Sequence, residues 1–469
     1  MNPLRMSRHG GRLAAALALL AVAPLGRAAG PAWHPYVVMN GAGPMARVVI
    51  EDPQAACPAL TLGGSAPQPM APRPVPAAVA ADFPVTVCEL QLPAGAAGAS
   101  LGGQPLPLPP AQLGTIVGLG DTGCRLKAGK APKAGKASTD SAAAGGHDAD
   151  EDDPGKYQDC DVPAQWPFAQ IAAQAAASRP DLVLHVGDYV YREAACPASQ
   201  SGCAGSPHGD RWVTWKADFF DPARPLLAAA PWIAVRGNHE ICSRNGLGYA
   251  LFLDPRPATQ QAPRCDAANP ADQVLPGYAV SVGGRGFVVI DTSNADDLCA
   301  GKKPASKPAP CNAAAYVHAF DGLDIAPGAW LVTHKPLWAL RKKDLPVTQS
   351  LQQALRQGPG LPRNVALALA GHIHFWQVLS LADGRAPQLV LGNGGTMLAG
   401  KAKKVTAKAI DGTTVAYGKT HDGFGYTVFR PHASHVEVVV RQPGAQGASD
   451  LFGCEVRGPR VSCAKSGSD

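Results

Sequence analysis

Five places in the chain share one construction: an apolar run ends, and side chains able to hold a metal ion follow at once. Residues 115–119 lead into Gly120, Asp121, Thr122 and Gly123, and residues 182–186 lead into Gly187, Asp188, Tyr189, Val190 and Tyr191. Residues 232–235 lead through Arg236 into Gly237, Asn238, His239 and Glu240. Residues 330–333 end at His334, and residues 365–370 lead into Gly371, His372, Ile373 and His374. Carboxylates, imidazoles, an amide oxygen and a phenol are ligands for hard and borderline cations. The five ends offer Asp121, Asp188, Asn238, a phenol from Tyr189 or Tyr191, and three or more of His239, His334, His372 and His374; seven such ligands, with one carboxylate free to bridge, would serve two cations about 3.5–4 Å apart. His372 and His374, two apart on an extended segment, point the same way. Each piece alone is common in turns; five in series behind strands point to one metal centre.

These residues need a frame that brings strand ends together. From residue 113 onward, continuous apolar strands alternate with helical stretches, the pattern of an α/β layered domain. In such sheets ligands bind beyond the carboxyl ends of the strands. Strands covered on both faces read as unbroken apolar runs, and a following glycine lets the backbone turn sharply. Residues 165–178 read as a helix, 212–220 and 349–357 as weaker ones, and 425–429 and 435–441 as strands that finish the sheet.

Before residue 113 the pattern is all-β. Residues 36–39, 46–50 and 85–92 are short apolar stretches between turns. We expect a small β-sandwich-like domain over residues 30–112, ending in a proline-rich linker. Residues 1–29 read as a signal peptide: Arg5, Arg8 and Arg12 precede an apolar run, and Ala28, Ala29 and Gly30 follow it. That run is short for a bilayer span, so the expectation is a secreted or periplasmic protein without stable membrane insertion. Without Arg5, Arg8, Arg12 and Arg27, the 42 basic and 36 acidic residues become 38 and 36. That near-neutral balance gives no ground for a nucleic-acid partner, and the oligomeric state is not legible. Residues 127–154, with spaced lysines and an acidic cluster, lack apolar groups to bury and read as a mobile insertion in a catalytic domain over 113–469.

All twelve cysteines follow the signal, and no CxxC pair marks a zinc site. An even number in an exported chain suggests disulfides between sequence neighbours: Cys57 with Cys88, Cys124 with Cys160, Cys196 with Cys203, Cys242 with Cys265, Cys299 with Cys311, and Cys454 with Cys463.

The five ligand blocks resemble those of the purple acid phosphatase branch of the calcineurin-like metallophosphoesterases, over about residues 113–400. The blocks are Asp121-x-Gly123, Gly187-Asp188-x-x-Tyr191, Gly237-Asn238-His239, Val332-Thr333-His334 and Gly371-His372-x-His374. Gly123, where the wider superfamily usually has a histidine, and Tyr191 carry the narrower likeness. The resemblance implies a layered α/β/β/α sandwich and hydrolysis of small phosphate monoesters by direct attack of a metal-activated water. It implies iron(III) held by Asp121, Tyr191 and His374, and zinc, manganese or iron(II) held by Asn238, His334 and His372. Asp188 would bridge the two, and His239 would act on the phosphate without holding a metal. The branch usually has another histidine nine or ten residues after the fourth block; none is present here. Arg341, Lys342 and Lys343 are candidates to bind phosphate in its place. A phosphodiesterase or nucleotidase on the same site, and a non-catalytic module that only binds metal or phosphate, are the alternative readings.

Overall fold

The computed structural model describes residues 32–129, 155–299, 311–342, 347–402 and 404–464. The expected signal peptide therefore lies outside the described residues. The fold rests on two mixed sheets, of eleven and eight strands, with few helices.

Fourteen strands carry the argument: β1 (Trp33–Asn40), β2 (Gly43–Ile50), β3 (Thr86–Gln91), β4 (Ile116–Leu119), β5 (Leu182–His185), β6 (Trp232–Ala234), β7 (Tyr278–Val282), β8 (Arg285–Val289), β9 (Ala329–Val332), β10 (Val365–Ala370), β11 (Trp376–Leu381), β12 (Gln388–Leu391), β13 (Tyr426–Pro431) and β14 (Val436–Gln442). The larger sheet contains the run β14-β13-β4-β5-β6-β1-β2-β3, and the smaller one the run β7-β8-β9-β10-β12-β11. β4, β5 and β6 are parallel neighbours, as are β8, β9, β10 and β12.

Alternation along these strands builds the core. Leu182 and Leu184 of β5, Ile233 of β6, Trp330 and Val332 of β9, and Leu367 and Leu369 of β10 share one buried cluster between the sheets. The intervening side chains point outward. Val183 and Trp232 pack with Phe168, Ile171 and Ala175 of helix α1 (Phe168–Ala177) and Leu226 of helix α2 (Asp221–Ala229). Val288 and Leu331 pack with Leu351 and Ala354 of helix α3 (Gln349–Gln357). Strands covered on both faces need apolar residues at every position, which is how these runs read in the sequence. The stretch 212–220, read as one helix, begins as α-helix at Trp212–Trp215 and continues as a π-helical turn at Lys216–Phe220.

The N-terminal region, where a small β-sandwich-like domain is expected over 30–112, is all-β apart from a short 3-10 turn, and several of its strands join the larger sheet. β1 runs parallel to β6, with Val38 opposite Trp232, so β1, β2 and β3 extend the larger sheet. Tyr36, Val38 and Val49 face the main core. Val37, Val48 and Ile50 face a small satellite core with Leu60 and Leu101. The sandwich-like pattern arises because one of its two faces is the edge of the main sheet.

A buried charge cluster ties this edge to the following loop. Arg47 Nη2 and Arg73 Nη1 lie 2.8 and 3.0 Å from Glu89 Oε2. The two guanidinium groups also donate to the carbonyls of Phe252, Asp254, Ala250 and Arg256. Ala258 N donates to Glu89 Oε1 at 2.6 Å.

Most of the insertion expected over 127–154 lies outside the described residues. Lys127 belongs to a strand, Leu126–Ala128, paired with Gly155–Tyr157; residues 130–154 lie outside the described residues. Six disulfides join Cys57–Cys88, Cys124–Cys160, Cys196–Cys203, Cys242–Cys265, Cys299–Cys311 and Cys454–Cys463. They fit an oxidising compartment. Among the described residues, no helix is long and apolar enough to cross a membrane.

Candidate metal centre

The loops after β4, β5, β6, β9 and β10 meet at the carboxyl ends of their strands. Three of the side chains they carry sit on left-handed backbone: Asp121 at φ 56°, Asp188 at φ 60° and His372 at φ 72°. Such conformations cost non-glycine residues on the order of 1–3 kcal/mol and persist where the surroundings impose them, often at functional sites. Gly187, at φ 97°, has no room for a Cβ, which would lie 2.6 Å from His334 Nδ1. Glu240 holds two of the loops together. Its Oε2 accepts Asp188 N and Gly237 N, both at 3.0 Å, and its Oε1 accepts Tyr189 N at 2.8 Å.

Two groups of ligand atoms result, each with its atoms within 4.8 Å of one another: Asp121, Asp188 and His374, and Asp188, His334 and His372. Asp188 belongs to both, and its two oxygens divide between them. Oδ2 accepts Tyr191 OH at 2.6 Å, while Oδ1 lies 3.3 Å from His334 Nε2 and accepts His239 N at 2.8 Å. Tyr191 OH also lies 2.9 Å from Asp121 Oδ1 and 3.0 Å from His374 Nε2. Asn238 Oδ1 lies 2.9 Å from His334 Nε2 and 2.7 Å from His372 Nδ1. The two phenols left open by the sequence are separated: Tyr189 stacks on His185 in the core, away from this cluster.

Each imidazole has an outer nitrogen beside an acceptor and an inner one facing the cluster. His334 Nδ1 lies 2.8 Å from Val186 O, and His374 Nδ1 lies 2.9 Å from Met397 O. His372 Nε2 lies 2.9 Å from Asp297 Oδ2. Such outer partners fix the tautomer and leave the inner nitrogen free to ligate a metal. Asp297, not singled out from the sequence, also lies 3.3 Å from Lys335 Nζ. Burial opposes its ionisation, but His372 and Lys335 outweigh this and hold its carboxyl well below the usual range. A signal existed: residues 286–290 are a further apolar strand run, followed by Asp291, Asp296 and Asp297. Asp297→Asn is expected to lower metal affinity or activity by about tenfold to a hundredfold, as removal of such partners does elsewhere. Metal titration by calorimetry checks it, and unchanged affinity and turnover would leave Asp297 a bystander.

The electrostatics of the bare cluster call for positive charge. Burial and the charge of Asp188 raise the carboxyl of Asp121. Burial opposes ionisation of Asp188 too, but His334 and His239 hold it well below the ordinary value. Burial, then Asp121 and Asp188, raise the Tyr191 phenol well above its ordinary value. Two buried carboxylates and a phenol packed together can all shed their protons only beside cations. The donor set therefore fits a pair of metal ions.

A cleft of about 340 Å³ opens over Asp188, Asn238, His239, His372 and His374. A larger cavity, about 770 Å³, lies under Asn40, Gln91 and Tyr278 and contains none of the ligand groups; the chemistry belongs to the smaller cleft. His239 Nδ1 lies 2.8 Å from Glu193 Oε1, which Arg244 Nε also approaches at 2.8 Å. Of the three expected phosphate-binding cations, Arg341 lines the cleft, Lys342 is exposed and does not line it, and Lys343 lies outside the described residues.

Residues 115–375, more than half of the chain, match the calcineurin-like phosphoesterase family. The chain belongs to this family. Its members use a dinuclear metal centre, and the matched segment contains all seven side chains gathered here. No curated protein is matched significantly. Within this calcineurin-like domain, Gly123 has a physical reason to be glycine. A Cβ there would lie 2.7 Å from both Tyr189 O and Tyr191 N and 2.8 Å from Asp218 Oδ2. Asp218 in turn accepts Tyr191 N at 2.9 Å. The close approach that excludes a side chain at residue 123 thus sets the loop that presents the Tyr191 phenol.

Proposed function

We propose that this calcineurin-like protein is an exported phosphoesterase of the purple acid phosphatase type, with layered α/β/β/α architecture, acting on small phosphate monoesters. The observation that carries the reading is the division of Asp188 between two ligand groups, one of which lies against the Tyr191 phenol. In this reading Asp121, Tyr191 and His374 hold iron(III), and Asn238, His334 and His372 hold zinc, manganese or iron(II), with Asp188 between them. A hard trivalent ion favours an anionic phenolate. When bound, the cations would activate water and offset charge on the phosphate.

The chain's own groups do the rest. Val186 O, Met397 O and Asp297 orient the imidazoles. His239, lining the cleft and set by Glu193, supplies a hydrogen bond to the phosphate or the leaving oxygen.

Two measurements test the reading. Turnover of an aryl phosphate monoester should exceed that of the bis-ester of the same phenol; the reverse order would make the protein a phosphodiesterase. The purified protein should show a visible tyrosinate charge-transfer band that Tyr191→Phe abolishes. A colourless, fully loaded dizinc or dimanganese protein would remove the iron(III) assignment and leave the hydrolase.

A further inference from the structure

The cleft contains a cation that the metal ligands do not use. Arg125 lines its wall, four residues after Asp121, with its guanidinium carbon 5.7 Å from the centroid of the Tyr191 ring. Its side chain is buried, the residue being only 8% exposed, and its Nε has no hydrogen-bond partner. Among the described residues, no carboxylate forms an ion pair with its guanidinium, although the Glu193 carboxylate lies near enough to feel its charge. A guanidinium is the side chain best shaped to grip phosphate oxygens two at a time.

The backbone that carries it is held at several points. Arg125 N donates to Gln158 Oε1 at 3.1 Å, and Gln158 N donates to Arg125 O at 2.8 Å. The preceding residue is bonded through the Cys124–Cys160 disulfide, and its N donates to Asp218 Oδ1 at 3.1 Å. On the other side, Leu126 N donates to Tyr191 O at 3.0 Å. The cation is thus fixed to the same loop as the Tyr191 phenol. Preorganisation of this kind reduces the entropy lost when a ligand binds.

We propose that Arg125 is the phosphate-binding cation of this cleft, gripping non-ester oxygens of the substrate in place of the histidine missing after His334. The inference rests on the phosphoesterase reading above. It assigns the substrate's terminal phosphate, with its two or more free oxygens, to the Arg125 side of the cleft. Lys156, exposed and also lining the cleft, extends the positive edge outward. The selectivity that follows is for a terminal phosphate over an internal one, because a diester offers fewer free oxygens and less charge.

The test is calorimetric binding of inorganic phosphate to the full-length, metal-loaded protein, with metal content measured on the same samples. Arg125→Gln, which keeps most of the side-chain volume, should weaken phosphate binding about tenfold to a hundredfold at unchanged metal content. Arg125→Lys, which keeps the charge but not the fork, should fall between the two. KM for a monoester should rise with the phosphate dissociation constant, while kcat changes less. Phosphate binding by Arg125→Gln equal to that of the parent would overturn the inference and leave the phosphoesterase reading standing. Loss of metal in both variants would make Arg125 structural and overturn it as well. A parent protein that holds two metals yet neither binds phosphate nor hydrolyses a monoester would overturn the phosphoesterase reading itself, and the inference with it.

Discussion

Replacing Asp188 by asparagine is expected to cut monoester turnover by about a thousandfold or more and to release metal from the protein. The side chain is fully buried, and its two oxygens face different ligand groups. No other residue belongs to both groups. Loss of about 4 kcal/mol from the charge stabilisation that a metal supplies already amounts to a thousandfold in rate. Asparagine is the informative replacement because it keeps the shape and tolerates the left-handed backbone at this position. A fall in activity with unchanged thermal unfolding of the metal-free protein would therefore report the lost charge and not a collapsed loop. Full metal content with turnover within tenfold of the parent would contradict the shared role of Asp188.

The second large effect concerns stability. Glu89→Ala should destabilise the fold by about 3–5 kcal/mol, the usual cost of leaving a buried partner charge uncompensated. Here two guanidinium groups would be stranded, those of Arg47 and Arg73, each buried to within 1% of full coverage. Both also carry carbonyls of the segment 250–256, so the damage should spread from the sheet edge into that segment. Burial opposes ionisation of Glu89, but Arg47 and Arg73 hold its carboxyl below the ordinary value. Its contribution is thus present at neutral pH and lost as pH falls through the depressed value. Urea unfolding measures the effect, and a midpoint unchanged in Glu89→Ala would show that the cluster contributes little. Because β1 pairs directly with β6, part of this instability should reach the loop that carries Asn238.

Much of the site was legible because its construction is local. A buried strand, a glycine and a ligand fall within a few consecutive residues, so each block can be read without knowing what it faces. The larger choices depended on partners distant in sequence. The separation of Tyr189 from Tyr191 follows from the direction each takes out of one loop: the first stacks on His185, the second reaches Asp121 and Asp188. Asp297 escaped notice because its contact, His372, lies 75 residues away, and an isolated aspartate after a strand resembles any turn residue. Arg125 was hidden for the opposite reason. It follows a ligand block so closely that it reads as loop filler, and only its burial and its place in the cleft wall distinguish it.

The N-terminal strands show what periodicity leaves open about organisation. Alternating apolar residues in β1 and β2 require two covered faces, but they do not say which elements cover them. A self-contained sandwich and the edge of a larger sheet leave the same pattern. The pairing of Val38 with Trp232 shows that β1 also belongs to the larger sheet. Lys342 shows the same limit at the site. Three consecutive cations read as one patch, yet of the two described residues only Arg341 lines the cleft.

The central claim is that two cations held by this cluster make the protein a phosphoesterase. The most direct measurement is to strip the protein with a chelator, add metal back in steps, and follow bound metal and monoester hydrolysis together. Hydrolysis should be absent without metal and should rise to a plateau at two equivalents bound, with Asp188→Asn failing to reach it. Hydrolysis by the metal-free protein, or a protein with both equivalents bound and no hydrolysis of any phosphate ester, would contradict it.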